Sequence, residues 1–129
     1  MSNAYAFGKT VGTDVSQTIE RVTQALAKEG FGILSDIDVA GTLKKKLGLD
    51  VPAYRILGAC NPQFAHRALE AEPEIGTLLP CNVVVRKDGM RTRVDVMDPL
   101  AVMQLVGKPE VAKIANEVRG RLQRVLGEI

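Results

Sequence analysis

The chain contains two cysteines, and an asparagine follows each of them, in Cys60-Asn61 and Cys81-Asn82. A thiol beside a carboxamide combines a nucleophile or metal ligand with a group that both donates and accepts hydrogen bonds. Each dipeptide has a proline next to it and stands at the boundary of a predicted element. Two such pairs at element boundaries could together form one site.

Cys60 precedes a predicted helix that opens with Asn61-Pro62, because asparagine is a favoured N-cap and proline is tolerated at the first helical position. A thiol beside a helix N-terminus has its thiolate favoured, which makes Cys60 the better reactive candidate of the two cysteines. The alternative is a packing role, in which Cys60 contacts Ala65 one turn along the helix. In either case Asn61 is predicted to cap the helix.

Cys81 begins the clearest hairpin of the sequence, which runs to Met97 around the turn Asp88-Gly89. Pairing outward from this turn sets Val85 opposite Thr92, Val83 opposite Val94 and Cys81 opposite Val96. Because strand side chains alternate, Cys81 is predicted to face the core, while Asn82 faces the other side of the sheet with Arg93 and Asp95. The pattern favours a buried structural cysteine, with a polar patch on the open side as the functional alternative.

Neither dipeptide has the spacing of a metal or catalytic motif. Cys60, Cys81 and the single histidine, His66, are too few and too far apart for a structural zinc site unless a dimer brings four ligands together. His66 also precedes Glu70 by four residues, as in a surface pair. Asp36 and Asp38 share one strand face, either as an acid-base pair or with Asp38 as a helix cap. We expect no cofactor and no metal, and the sequence leans against an enzyme.

Length and composition limit the class of protein. With 129 residues, 46% of them hydrophobic, the chain fits one domain with an aliphatic core. Aromatic residues make up 4% and the net charge is +2, so base stacking and long-range attraction to nucleic acid or anionic membrane are weak. No apolar run approaches the roughly 20 residues of a membrane helix, and two cysteines make no disulfide framework. These features predict a cytoplasmic protein.

The first four residues, Met-Ser-Asn-Ala, match a start methionine followed by a Ser-Asn-Ala cloning remnant. We therefore assign residues 1–4 to this remnant and residues 5–129 to a single domain. A native signal peptide removed at this point would change the predicted compartment.

The elements that must position the candidate residues follow one another in the order β-α-β-α-β-α-β-β-α-α. The predicted strands are 5–11, 31–39, 54–57 and the two arms of the hairpin, and the predicted helices are 14–29, 42–47, 61–72, 98–106 and 109–126. Thr13 or Asp14 is the predicted cap of the first helix, and Gly30 is its terminator. Asp98, which precedes Pro99, is the predicted cap of the fourth helix. This order predicts an α+β domain with a curved, mostly antiparallel five-stranded sheet and helices on one face, with a parallel doubly wound sheet as the alternative.

Three segments, Gly58-Ala59-Cys60-Asn61-Pro62, Leu78–Val85 and Asp98-Pro99, resemble the family labelled domain of unknown function 302. The resemblance covers nearly the whole chain from Tyr5 onward. It implies a small α+β fold similar to the TATA-box-binding-protein-like class, often seen as a dimer, and this likeness is not read as DNA binding. It implies no activity, and it marks five positions without roles, namely Cys60, Asn61, Cys81, Asn82 and Asp98.

We expect a non-catalytic homodimeric module that binds a small ligand or a partner near the two Cys-Asn dipeptides. The candidate ligand-binding residues are Cys60, Asn61, Cys81, Asn82, Arg93, Asp95 and Asp98. The alternative is a thiol-dependent redox or metal-handling protein that uses Cys60 and Cys81, and nucleic-acid binding is the weakest reading. A two-fold interface is expected on the open sheet face, which is predicted to carry Asn82, Val84, Arg86, Arg93 and Asp95.

Overall fold

The computed structural model describes residues 3–129, so Met1 and Ser2 of the assigned cloning remnant lie outside the described residues. One sheet is formed by β1 (Ala6–Val11), β2 (Gly32–Asp38), β3 (Tyr54–Cys60), β4 (Cys81–Asp88) and β5 (Arg91–Met97). The strand order is β1-β5-β4-β3-β2 and every neighbouring pair is antiparallel. The α+β prediction is therefore confirmed, and the parallel doubly wound alternative is wrong.

The helices are α1 (Val15–Lys28), α2 (Val39–Leu47), α3 (Pro62–Ala71), α4 (Pro99–Met103) and α5 (Pro109–Gly127). The order of strands and α-helices is the predicted one. A 3-10 helix at Pro73–Leu78 was not predicted, because a segment of six residues is too short to show helical periodicity. Within residues 3–129, none of the helices combines the length and apolarity that crossing a membrane requires.

Local signals in the sequence explain where the first two helices begin and end. The Asp14 side chain accepts a hydrogen bond from the Gln17 N–H at 2.8 Å, and Gly30 follows α1 with a φ of +85°, as predicted. The second helix begins three residues earlier than predicted. There the Asp38 side chain accepts from the Gly41 N–H at 2.8 Å and so caps α2.

The core lies between one face of the sheet and the helices. Alternate strand residues face it, and the main ones are Phe7, Leu57, Cys81, Val83, Val85, Val94 and Val96. Buried residues of α1, α3, α4 and α5 complete the same cluster, including Val22, Leu26, Phe64, Met103, Val111 and Leu122. Helix α2 contributes no buried residue. The sheet therefore has a covered face and an open face, as the period-two pattern of the hairpin predicted.

The register of the hairpin differs from the prediction by two residues. Asp88 pairs with Arg91, so Gly89 and Met90 are the turn residues rather than Asp88 and Gly89, and Val85 pairs with Val94. Gly89 has a φ of +62°, which suits the glycine that opens a type II′ turn. Because side chains alternate with a period of two, a shift of two residues leaves every side chain on its predicted face.

Candidate ligand-binding pocket

An apolar pocket of about 270 Å³ lies between the sheet and the helices α3, α4 and α5. It is larger than the apolar cavity of about 150 Å³ that suffices to bind benzene. Space remains here because small side chains face it from both layers, namely Ala59, Ala65, Ala68 and Ala115. Larger apolar walls are supplied by Ile75, Met103, Val111 and Ile114.

Two leucines of the pocket lining are unusually exposed for apolar side chains. Leu34 of β2 is 70% exposed and Leu69 of α3 is 41% exposed, although both line the pocket. Exposed apolar groups that border a cavity are typical of a ligand-binding groove. The pocket therefore has an apolar entrance as well as an apolar interior.

Both cysteines line this pocket and both are free thiols. Cys81 is 7% exposed, which confirms the predicted core position, and Cys60 is half-buried. Burial raises the pKa of Cys81 to about 11, with a smaller contribution from the charge of Cys60, and burial also raises the pKa of Cys60. Loss of solvation thus opposes the thiolate that the helix N-terminus is expected to favour at Cys60, and Cys60 stays the predicted reactive candidate because it is the less buried of the two thiols.

Asn61 occupies the N-cap position of α3, as predicted, but its side chain makes no capping hydrogen bond. Its side chain turns toward the end of α1, where Nδ2 donates a hydrogen bond to the Glu29 carbonyl at 3.3 Å, and no side chain caps the first turn of α3. Gly30 makes this approach possible, because a Cβ at that position would lie 2.9 Å from Asn61 Nδ2. The carboxamide thus connects the end of α1 to the start of α3 while lining the pocket.

The end of α1 is held in place by two arginines of α5. Arg121 Nη1 donates to the same Glu29 carbonyl at 3.0 Å, and Arg124 Nη2 lies 2.9 Å from the Glu29 carboxylate, whose pKa it lowers by hydrogen bonding. The Arg121 guanidinium also stacks over the ring of Phe64, 5.1 Å from its centroid. These contacts fix two walls of the pocket, the Asn61 carboxamide and the Phe64 ring.

Three other candidate residues lie on the open face, away from the pocket. Asn82 is exposed there, and Arg93 Nε donates to Asp95 Oδ1 at 2.9 Å. They line a shallow depression of about 390 Å³ together with Val84 and Arg86. The five residues predicted for the open face therefore lie side by side on it. The two asparagines that follow the cysteines therefore lie at different sites, Asn61 at the pocket and Asn82 on the open face of the sheet.

Asp98 belongs to neither surface. Its Oδ1 accepts a hydrogen bond from the Leu100 N–H at 3.0 Å and so caps α4, as predicted. The same carboxylate lies 3.1 Å from Arg119 Nε on α5. Asp98 is thus a structural residue that joins the hairpin to the helix layer.

The other titratable candidate residues form ion pairs or helix caps away from the pocket. Asp36 forms an ion pair with Arg55, which lowers the pKa of Asp36, and Asp38 caps α2, so the two aspartates do not act as a pair. His66 Nε2 lies 2.9 Å from Glu70 Oε1 on the surface of α3, as predicted. Residues 3–129 contain no group of three or more His, Cys, Asp or Glu side chains that could hold a metal ion.

Several pocket residues could not be recognised from the sequence as residues of a binding site. Leu34, Leu69 and Met103 are ordinary apolar residues, and the apolar face of α3 with Phe64 and Ala65 predicts only core packing. The small size of the alanines on that face was the available clue, because alanines opposite other small side chains leave space. Only the three-dimensional arrangement shows that this space is left unfilled.

The fold and the pocket define the class of this protein as a small α+β domain with one antiparallel sheet and an apolar pocket beneath its helices. The family model for the domain of unknown function DUF302 matches residues 7–129. The chain therefore belongs to the DUF302 family. It is also similar to the crystal structure of an uncharacterized conserved DUF302 protein from Bacillus stearothermophilus, with 33% identity, a TM-score of 0.89 and coverage of 95% of this chain and 96% of that chain. No curated protein matches the chain.

Proposed function

We propose that this protein is a non-catalytic binding module that takes one small, largely apolar molecule into the pocket beside Cys60, Asn61 and Cys81. The observation that carries the proposal is the combination of about 270 Å³ of apolar space with an apolar entrance at Leu34 and Leu69. Ligand sites are typically concave and mostly apolar, with few polar groups. This pocket has that composition.

Binding is favoured over catalysis by the groups that line the pocket. Its described lining contains no histidine, carboxylate, lysine or arginine, so no acid-base pair faces a bound molecule. The two thiols are poor nucleophiles at neutral pH, because burial raises the pKa of each. The thiols therefore serve as pocket walls in this proposal.

Calorimetric titration with toluene tests the proposal, and Ala65→Leu fills the pocket. We expect toluene to bind the wild-type protein and to bind Ala65→Leu at least about tenfold more weakly, since the added side chain takes ligand space. Ala112→Leu is the matched control, because Ala112 is also a half-buried helical alanine but does not line the pocket. Absence of toluene binding, or equal weakening in both variants, contradicts the proposal.

The second candidate is a thiol-dependent redox or metal-handling function. The observation in its favour is that Cys60 and Cys81 line the same pocket. Thiol labelling of the folded protein at pH 7.5 separates the candidates. Slow labelling of both cysteines, with Cys60 ahead of Cys81, supports a role in the pocket wall, whereas rapid labelling of both or a native disulfide supports the thiol-dependent function.

We also propose that two copies of the chain associate through the open face. Val84 is half-buried in the isolated chain and lies among polar groups that suit a self-complementary interface. Sedimentation should report about twice the 13.9 kDa chain mass, and Val84→Lys should return the protein to a monomer. Leu105→Lys is the control, because Leu105 is 80% exposed elsewhere. A monomeric wild-type protein, or dissociation in both variants, contradicts this interface.

A further inference from the structure

The mouth of the pocket is marked by its two exposed lining residues, Leu34 of β2 and Leu69 of α3. The other described residues of the lining are buried or half-buried. A strand and a helix thus face each other across the mouth, and each presents an apolar side chain to both the pocket and the solvent. The rim of the pocket is therefore as apolar as its interior.

Leu34 reaches the mouth because of a β-bulge in β2. Ile33 pairs with Ala59 of β3. The next pair is Ser35 with Gly58, so Leu34 is an extra residue without a partner in β3. In a regular strand Leu34 would pair with Gly58 and face the open side of the sheet, because side chains alternate. The bulge instead lets Leu34 line the pocket, while Ser35 takes the place beside Gly58 on the open side.

Gly58 accommodates this bulge. A Cβ at residue 58 would clash with Ser35 Oγ, and it would lie 2.9 Å from Cγ of Pro80, which precedes β4. Gly58 begins one of the three segments that resemble the family, and this crowding gives its lack of a side chain a physical reason. A larger residue at this position would displace Ser35 and, with it, the neighbouring Leu34.

The interior of the pocket offers no partner to a charged group. Its described lining contains no histidine, carboxylate, lysine or arginine. Moving a charged group from water into apolar space without a partner is costly. A ligand with a charged end therefore keeps that end in solvent, which it reaches through the mouth. The part of the ligand next to the charged end then lies against Leu34 and Leu69.

We infer that the pocket takes the hydrocarbon chain of a single-chain amphiphile, such as a medium-chain carboxylate. The far end of the chain fills the pocket, the carbons next to the polar group lie against Leu34 and Leu69, and the polar group stays in water. The inference rests on the proposed function and adds the chemical class of the ligand. Leu34 and Leu69 contribute affinity because the chain removes their apolar surface from water. Gly58 is a positioning residue that acts through Leu34.

Decanoate, hexanoate and toluene test this inference on the wild-type protein. Calorimetric titration at pH 7.5 is carried out below the concentrations at which the carboxylates form micelles. We expect decanoate to bind at least about tenfold more tightly than hexanoate, because its longer chain buries more apolar surface. Toluene binding without decanoate binding, or decanoate binding no tighter than that of hexanoate, overturns the inference and leaves the proposed function standing. Failure of all three to bind removes the proposed function itself.

Leu34→Ala tests whether the chain crosses the mouth. Decanoate should bind this variant about fivefold more weakly, whereas toluene, which has no chain at the rim, should stay within about twofold of the wild type. Ile37→Ala is the matched control, because Ile37 lies on the same strand, is 50% exposed and does not line the pocket. It should leave both ligands unchanged. Unchanged decanoate binding in Leu34→Ala, equal weakening in the two variants, or a parallel loss of toluene overturns the inferred path across Leu34.

Discussion

The two Cys-Asn dipeptides have the same composition and opposite environments. In Cys60-Asn61, the asparagine is the buried member and the cysteine is half-buried, and both line the pocket. In Cys81-Asn82, the cysteine is buried in the pocket wall and the asparagine is exposed on the open face. The difference arises from position within the element and not from residue type.

Cys81-Asn82 begins a strand, so alternation sends its two side chains to opposite faces of the sheet. Cys60-Asn61 spans the end of β3 and the start of α3, where the chain leaves the alternating geometry. Both side chains can therefore face the pocket. An identical dipeptide thus contributes one residue to the pocket in a strand and two at a strand-to-helix junction.

The largest expected effect concerns the two cysteines. Cys81→Ser places a hydroxyl in an apolar wall at a position that is 7% exposed, and we expect it to lower the free energy of unfolding by about 1–3 kcal/mol. Cys60→Ser, at the half-buried position, should cost less than about 1 kcal/mol. Urea denaturation of both variants measures the difference. Equal costs would show that the two thiols have equivalent environments.

The burial of the Cys81 thiol should also make the stability of the protein fall at alkaline pH. An unfolded thiol ionises near its ordinary pKa of 9.0, whereas folded Cys81 keeps its proton until about pH 11. The stability that this group contributes is therefore complete below pH 9 and is lost as the pH rises from about 9 to about 11. At pH 10 the loss should be on the order of 1–2 kcal/mol.

Cys81→Val is the control for this pH dependence, because valine has a similar size and no ionisable group. Unfolding curves of the wild type and the variant between pH 8 and pH 10.5 isolate the contribution of Cys81 from those of the other groups that titrate there. We expect the wild type to lose stability more steeply than the variant. Parallel curves would mean that the thiol is solvated in the folded protein.

Replacing each asparagine with alanine should give a smaller difference in the free energy of unfolding than the cysteine substitutions give. Asn61→Ala removes the hydrogen bond to the Glu29 carbonyl and should cost about 0.5–1.5 kcal/mol. Asn82→Ala changes an exposed side chain and should stay within about 0.5 kcal/mol of the wild type. Thermal unfolding measures both. A larger cost for Asn82→Ala would reverse the assignment of the buried and the exposed asparagine.

The fold was predictable because its signals are local. Alternation in the hairpin predicted that Cys81 faces the core, and Asp14, Gly30 and Asp98 predicted helix boundaries that the structure confirms. The hairpin register was missed by two residues, because the sequence around Gly89 fits more than one tight turn.

The candidate site was predictable only in part, because it depends on contacts between distant segments. Asn61 has the sequence of an N-cap, but the Glu29 carbonyl competes for its side chain from 32 residues away. The pKa of Cys60 depends on how deeply the fold buries the thiol, and burial raises it. The pocket itself is space that several helices leave open, and no single segment of the sequence encodes it.

Nuclear magnetic resonance titration of the labelled wild-type protein with toluene tests the central claim most directly, because it reports on both Cys-Asn dipeptides at once. The account predicts saturable chemical-shift changes at Cys60, Asn61 and Met103, with Asn82 and Val84 on the open face unchanged. Changes confined to Asn82 and Val84, or no saturable change at any residue, would contradict it.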